Sequence, residues 1–244
     1  MVNVDKVYKT VLYILNKEQR GYLTPAEFSK VASQVQLEIF EQYFEDMNQQ
    51  LRVPENDSEY ANRVKNLEEK MAIFETDGVI TYVGPNYTFP ANTHRIGTIA
   101  YSGKELQRVS HKDYLLINKS PLTCPTESYP LYILEGTGAP SAAPTVATVK
   151  PDSIQSDLPL YYIRRPEDPI WAYIIGSQGQ YVYQEAADPA AYPTTGSVQF
   201  ELHSSEQTNI ILQILMYSGI IIRDPQVVQT AAAMVQQQEV NEKS

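Results

Sequence analysis

The run Asn16-Lys17-Glu18-Gln19-Arg20-Gly21-Tyr22-Leu23-Thr24-Pro25-Ala26-Glu27 has the outline of a calcium-binding EF-hand loop, with Gly21 at the sixth position, an aliphatic residue at the eighth and Glu27 at the twelfth. A hard cation wants oxygen ligands, yet the first ligand position holds the neutral Asn16 and the fifth holds Arg20, itself a cation. Thr24, Pro25 and Glu27 also read as a helix start, so the segment is expected to be a helix–turn–helix connector. His94, His111 and His203 share no i, i+4 spacing and no cysteine partner, which points to surface or hydrogen-bonded structural roles rather than metal ligation. Cys124 lies between Thr123 and Pro125 with no helix start to activate it as a nucleophile. Gly136-Thr137-Gly138 lacks the following Lys of a phosphate loop, and no nucleophile elbow or zinc helix occurs. Acidic residues are plentiful, but nothing selects a pair for glycosidase-type acid–base work. No catalytic, cofactor-binding or metal-binding residue is assigned.

One stretch concentrates interaction-prone side chains. Tyr161 to Trp171 combines Arg164, Arg165, two prolines and the single tryptophan of the chain. Arg and Trp are frequent at binding hot spots, so Arg164, Arg165 and Trp171 form a possible assembly interface. An equally good reading makes it a strand whose Trp171 caps the local core while the charges stay solvated.

Residues 1–76 read as helices. Val4, Val7, Tyr8, Val11, Leu12 and Leu15 form one stripe of a helix ending near Asn16. Thr24-Pro25-Ala26-Glu27 is a capping box with Pro at the first helical position, and Phe28, Val31, Val35, Ile39, Tyr43, Met47 and Leu51 continue the helical spacing. A third helix is expected from Asp57 or Ser58, with a seam of Tyr60, Val64, Leu67, Met71 and Phe74 that packs antiparallel to the second.

Residues 77–203 read as a turn-rich β region, because 13 of the 16 prolines fall between Pro85 and Pro193 among short β-branched and aromatic runs. Expected strands are Val79–Val83, Arg95–Tyr101, Glu105–Ser110, Leu131–Leu134, Leu160–Arg164, Trp171–Ile175, Tyr181–Gln184 and Val198–His203. Ser102-Gly103 marks a hairpin, Gly176 to Gly179 a longer turn, and 135–149 an exposed loop. Residues 204–244 return to helix: a second capping box at Ser204 to Gln207, an apolar helix ending at Gly219, then a Gln-rich helix from Asp224-Pro225 to about Val240 that is peripheral or depends on a partner. The fold class is α+β, with an N-terminal helical hairpin or bundle, a central antiparallel β region and C-terminal helices.

The chain of 244 residues is 43% hydrophobic and 20% charged, a globular composition. Its net charge of −10 argues against a general nucleic-acid binder. The longest near-apolar stretch, Ile210 to Ile222, is too short for a membrane span. Asp5 and Lys6 interrupt the place of a leader's apolar run, so synthesis in the cytoplasm is expected. Eighteen Tyr against six Phe suit half-wet contact surfaces.

The phrases Val7 to Phe28, Phe89-Pro90, Arg95 to Tyr101, Tyr129 to Tyr132, Tyr162 to Trp171 and Phe200 to Glu206 resemble virion structural proteins of crAss-like short-tailed bacteriophages. Within that group the chain is most similar to the ring or adaptor proteins of the head–tail connector. The resemblance implies a non-enzymatic, homo-oligomeric ring, a dodecamer by analogy, beneath the portal protein and against other connector or tail proteins. It implies a virion location, no cofactor, no membrane, and a lumen through which DNA passes without specific binding. A tail or capsid surface binding module, a small cell-wall hydrolase and a calcium-responsive adaptor are the alternatives.

Overall fold

A computed structural model describes residues 1–17, 22–50, 63–136, 145–222 and 229–237. The fold is α+β: helices come first, an antiparallel-dominated sheet occupies the middle, and helices return at the end. Two compact units divide the chain, Met1–Ile73 with Pro166–Ser244 (unit 1) and Phe74–Arg165 (unit 2). Residues 166–203, read from sequence with the β region, therefore group with the helices. Their contacts explain this: Trp171 and Phe200 bond to Ser29 and Val2, partners that local patterning does not reveal.

Unit 1 is built on α1 (Val4–Lys17), α2 (Pro25–Gln50), α3 (Arg63–Met71) and α5 (Gln207–Ile222). The α1 stripe of Val4, Val7, Tyr8, Val11 and Leu15 is buried. On α2 the buried face is wider than expected. Beside Val35, Ile39 and Tyr43 runs a second row, Phe28, Ala32, Gln36, Phe40 and Phe44, at four-residue steps. Gln36 is buried because both ends of its amide are used: Nε2 donates to the Glu167 carbonyl at 2.6 Å and Oε1 accepts from the Glu201 amide at 3.0 Å. α5 packs on α1 and α2, and α3 packs on α2 through Leu67 and Met71. The expected α3 start at Asp57 or Ser58 and its Tyr60 lie outside the described residues, as do Asp224-Pro225 and the chain beyond 237; residues 229–237 are helical.

Several expected elements differ. Val198–His203 is not a strand: Val198 and Phe200 make only isolated bridges to Ile170 and Val2. The helix start at 204 is capped by His203 rather than by Ser204, with His203 Nδ1 accepting from the Ser205 amide at 3.3 Å ahead of a 3-10 turn, Ser204–Glu206. Glu206 is free of capping duty and buried against Lys70 at 2.6 Å. α5 also runs through Gly219 to Ile222.

Unit 2 contains β1 (Glu75–Val83), β2 (Asn86–Thr88), β3 (Thr93–Tyr101), β4 (Lys104–Glu105), β5 (Gln107–Arg108), α4 (His111–Ile117), β6 (Leu131–Gly136), β7 (Thr145–Lys150) and β8 (Leu158–Arg164). The eight strands run in the order β4-β3-β8-β1-β2-β7-β6-β5. Its two ends, β4 and β5, are consecutive in the chain and separated only by Leu106. The sheet therefore closes on itself as a small barrel. β1 makes the opposite corner, pairing β8 through Glu75–Ile80 and β2 through Thr81–Val83. The single strand expected over Glu105–Ser110 is thus two short strands that serve opposite ends of one sheet. Of the exposed loop expected over 135–149, residues 135–136 and 145–149 are instead strand, in a β6–β7 ladder that extends to the pair Gly136↔Thr145, and 137–144 lie outside the described residues. β2 and α4 were not anticipated, being too short for periodicity to reveal.

The barrel interior is filled by Ile80, Tyr87, Phe89, Ile99, Leu106, Tyr132, Ala147, Val149, Ile154, Leu158, Leu160 and Tyr162. Tyr87 donates its hydroxyl to the Ile154 carbonyl at 2.8 Å, and burial pushes its phenol up to about 12. The predicted Ser102-Gly103 hairpin is present, with both residues at positive φ (50° and 75°). Gly97 sits where β3 slips in register against β8, and a Cβ there would lie 2.7 Å from the Tyr161 carbonyl oxygen. Two more strands, β9 (Tyr173–Ile175) and β10 (Tyr181–Tyr183), form a separate hairpin in unit 1 around the predicted turn at 176–179.

Candidate functional site

Among the described residues, those that the sequence singles out for chemistry do not converge. Glu27, the twelfth position of the EF-hand outline, has its carboxylate in the capping box: Oε2 accepts from the Thr24 amide at 2.9 Å and from the Thr24 hydroxyl at 2.6 Å, while the Glu27 amide returns a bond to Thr24 Oγ1 at 3.3 Å. These bonds hold the Glu27 carboxyl below its ordinary range. Arg20 and Gly21 lie outside the described residues. Among the described residues, no group of three or more His, Cys, Asp or Glu is arranged to hold a metal ion. His111 opens α4 in unit 2, His94 lies in β3, and His203 caps a turn in unit 1. Cys124 is exposed, with its thiol 3.5 Å from Asn118 Oδ1. Of Gly136-Thr137-Gly138 only Gly136 is described, closing β6.

Two carboxylates do meet on one strand face. Glu75 and Asp77, two apart on β1, share a hollow of about 410 Å³ with Thr98 and Tyr161. Both carboxylates are exposed to solvent.

Trp171, proposed from sequence as part of an assembly interface, is only 4% exposed. Its indole Nε1 donates to Asp5 Oδ1 at 3.1 Å and its amide donates to Ser29 Oγ at 3.2 Å. Its ring lies 4.6 Å from Tyr8 and 5.6 Å from Tyr183. Trp171 is thus a core residue of unit 1, because the indole has both its apolar and its polar needs met inside. Arg164 and Arg165 end unit 2, with the Arg164 guanidinium 5.8 Å above Phe74 and the Arg165 side chain exposed. The three residues fall in different units, so no one unit presents them together.

Exposed apolar side chains collect elsewhere. Between β5 and β6 the chain leaves the barrel for residues 111–130. There Tyr114 and Ile117 pack inward on Val109, Leu131 and Ile133, while Leu115, Leu116, Leu122 and Tyr129 face solvent, Leu122 at 96% exposure. The excursion is nonetheless ordered by local bonds. Ser110 caps α4 by accepting from the Asp113 amide at 3.2 Å, and Lys104 reaches Tyr129 at 5.6 Å and the Ser128 carbonyl at 3.2 Å. A hollow of about 920 Å³ runs along it, lined in part by Leu122, Cys124, Tyr129 and Lys104.

The second collection is on the β9–β10 hairpin of unit 1. Ile175 and Tyr181 are cross-strand partners and both are exposed. Tyr173 lies on the same face, T-shaped to Tyr181 at 4.8 Å and 5.9 Å from the exposed Tyr192. Burial pushes the Tyr173 phenol upward, with Tyr181 and Tyr192 adding to it. From 166 to 222 the chain carries six Asp and Glu and no Lys or Arg. This patch was missed in the sequence because Ile175 and Tyr181 become neighbours only through strand pairing.

No protein-family model and no curated protein matches this chain.

Proposed function

We propose that this chain is a structural subunit of a bacteriophage virion, a ring or adaptor protein of the head-to-tail connector beneath the portal, which closes into a ring around a conduit for DNA. The carrying observation is the pair of ordered, exposed apolar collections, Leu115, Leu116, Leu122 and Tyr129 in unit 2 and Ile175, Tyr181 and Tyr192 in unit 1. Apolar patches of this kind mark protein–protein contact surfaces, and a cyclic assembly needs two different ones on each copy. A filled barrel fits the same role, since its work is to hold surfaces in place rather than to enclose a ligand. The net charge of −10 suits a wall that DNA must slide past without adhering. The dodecameric count follows from the resemblance alone.

The test is light scattering and electron microscopy of the purified chain, alone and with its portal protein. Ring-sized particles, or a ring stacked under the portal, are expected. A monomer indifferent to the portal would remove the reading. The tyrosine cluster Tyr173, Tyr181 and Tyr192 favours a second reading, a binding module of the tail or capsid surface, because exposed aromatic rings also stack on sugars. Saturable binding of host-surface glycan, lost in Tyr181→Ala, would support it.

A further inference from the structure

The geometry points to a specific mating pair between copies: the 111–130 excursion of one copy seats on the β9–β10 face of the next. This rests on the connector reading and names the surfaces it would use. Both surfaces carry exposed apolar side chains, Leu116 and Leu122 on the excursion and the cross-strand pair Ile175 and Tyr181 on the hairpin.

Charge decides which faces meet. Unit 1 holds eleven Lys and Arg against twenty-one Asp and Glu, whereas unit 2 holds eight against eight. The entire net charge of −10 thus resides in unit 1. A contact of unit 1 with unit 1 would oppose two strongly acidic surfaces, and like-charge juxtaposition is what excludes wrong pairings. A contact of unit 2 on unit 1 avoids that repulsion. The excursion also brings Lys112 and Lys119, both exposed, beside its leucines. Its two carboxylates balance them, Asp113 accepting from the Ser110 hydroxyl at 2.7 Å and Glu127 from the Ser153 hydroxyl at 2.8 Å, so the excursion is neutral where unit 1 is acidic. The hairpin side offers the exposed Glu185, with no cation from 166 to 222. The two surfaces differ, so the contact is head to tail and can repeat around a ring.

The experiment uses two full-length variants, Leu116→Asp with Leu122→Asp, and Ile175→Asp with Tyr181→Asp. Conditions are those in which the wild type assembles, with or without portal, and sedimentation velocity is the readout. Each variant alone is expected to lose the assembled species. Mixed, they retain one good excursion and one good hairpin, and should stop at about twice the monomer mass. Trp171 emission checks the folding of unit 1 and far-ultraviolet circular dichroism with thermal melting that of unit 2, and Ile175→Asp alone replaces the second variant if the double substitution unfolds it. Assembly of either variant like the wild type, or a mixture that stays monomeric, overturns the pairing and leaves the connector reading standing. A wild type that stays monomeric both alone and with portal overturns both.

Discussion

The indole of Trp171 has one polar atom, and the fold supplies it with a carboxylate 166 positions away. Trp171→Phe keeps an aromatic ring between Tyr8 and Tyr183 but leaves Asp5 Oδ1 without that donor. A loss of about 1–2 kcal/mol is expected in urea unfolding followed by circular dichroism. Trp171→Ala adds a cavity and should cost about 3–5 kcal/mol. The wild-type emission should be blue and resistant to ionic quenchers; a red, quenchable spectrum would contradict the burial. At Gly97 the limit is space, not conformation. Gly97→Ala sets a methyl against the Tyr161 carbonyl and should destabilise by about 1–3 kcal/mol in the same urea unfolding. The residue types around Trp171 left a surface role and a core role equally open in the sequence. Its partners, Asp5, Tyr8 and Ser29, lie more than 140 positions upstream, and no local pattern carries that information.

Elements whose determinants are local were legible. The second helix starts where Thr24-Pro25-Ala26-Glu27 says it must, because the donors and acceptors of a capping box lie within four residues. Thr24→Ala should cost about 1 kcal/mol, read as a shift in thermal midpoint. The Glu27 carboxyl is held below its unfolded value, so its contribution is complete above about pH 4.5 and is lost as pH falls through the folded value. Glu27→Gln should therefore reduce the difference in stability between neutral and acidic solution. The start at 204 misled because Ser204 and Gln207 match the box while His203, one residue earlier, does the capping. Closure of the barrel was not legible at all. Glu105 to Ser110 reads as one strand, and only pairing with β3 on one side and β6 on the other divides it at Leu106. Leu106 belongs to the barrel interior, so Leu106→Ala is expected to cost about 2–5 kcal/mol while Trp171 emission in the folded state is unchanged.

At the scale of the whole molecule, the phenols distinguish interior from surface. Tyr87 and Tyr217 are pushed up to about 12, the first by burial and the second by its 2.5 Å hydrogen bond to Glu38; Tyr8 is pushed further by burial, and Tyr132 and Tyr173 are also raised by burial. A raised phenol favours the protonated folded state, so its contribution is full below about pH 10 and is lost as pH rises through the folded value. Ultraviolet titration should show a delayed class of tyrosines that ionises only toward pH 12 or on unfolding. A single transition would contradict this. The α+β class was legible from proline distribution and periodicity. The allocation of 166–203 to the helical unit was not, since it depends on Gln36 gripping Glu167 and Glu201. That allocation makes unit 1 discontinuous, and the Arg164 amide meets the Phe74 carbonyl at 2.9 Å, so the barrel begins and ends side by side. During translation the barrel is fully synthesised once Arg165 emerges from the ribosome, while α1 and α2 must wait for α5. Their apolar stripes meanwhile stand open to chaperones, and the inserted module can fold before its host.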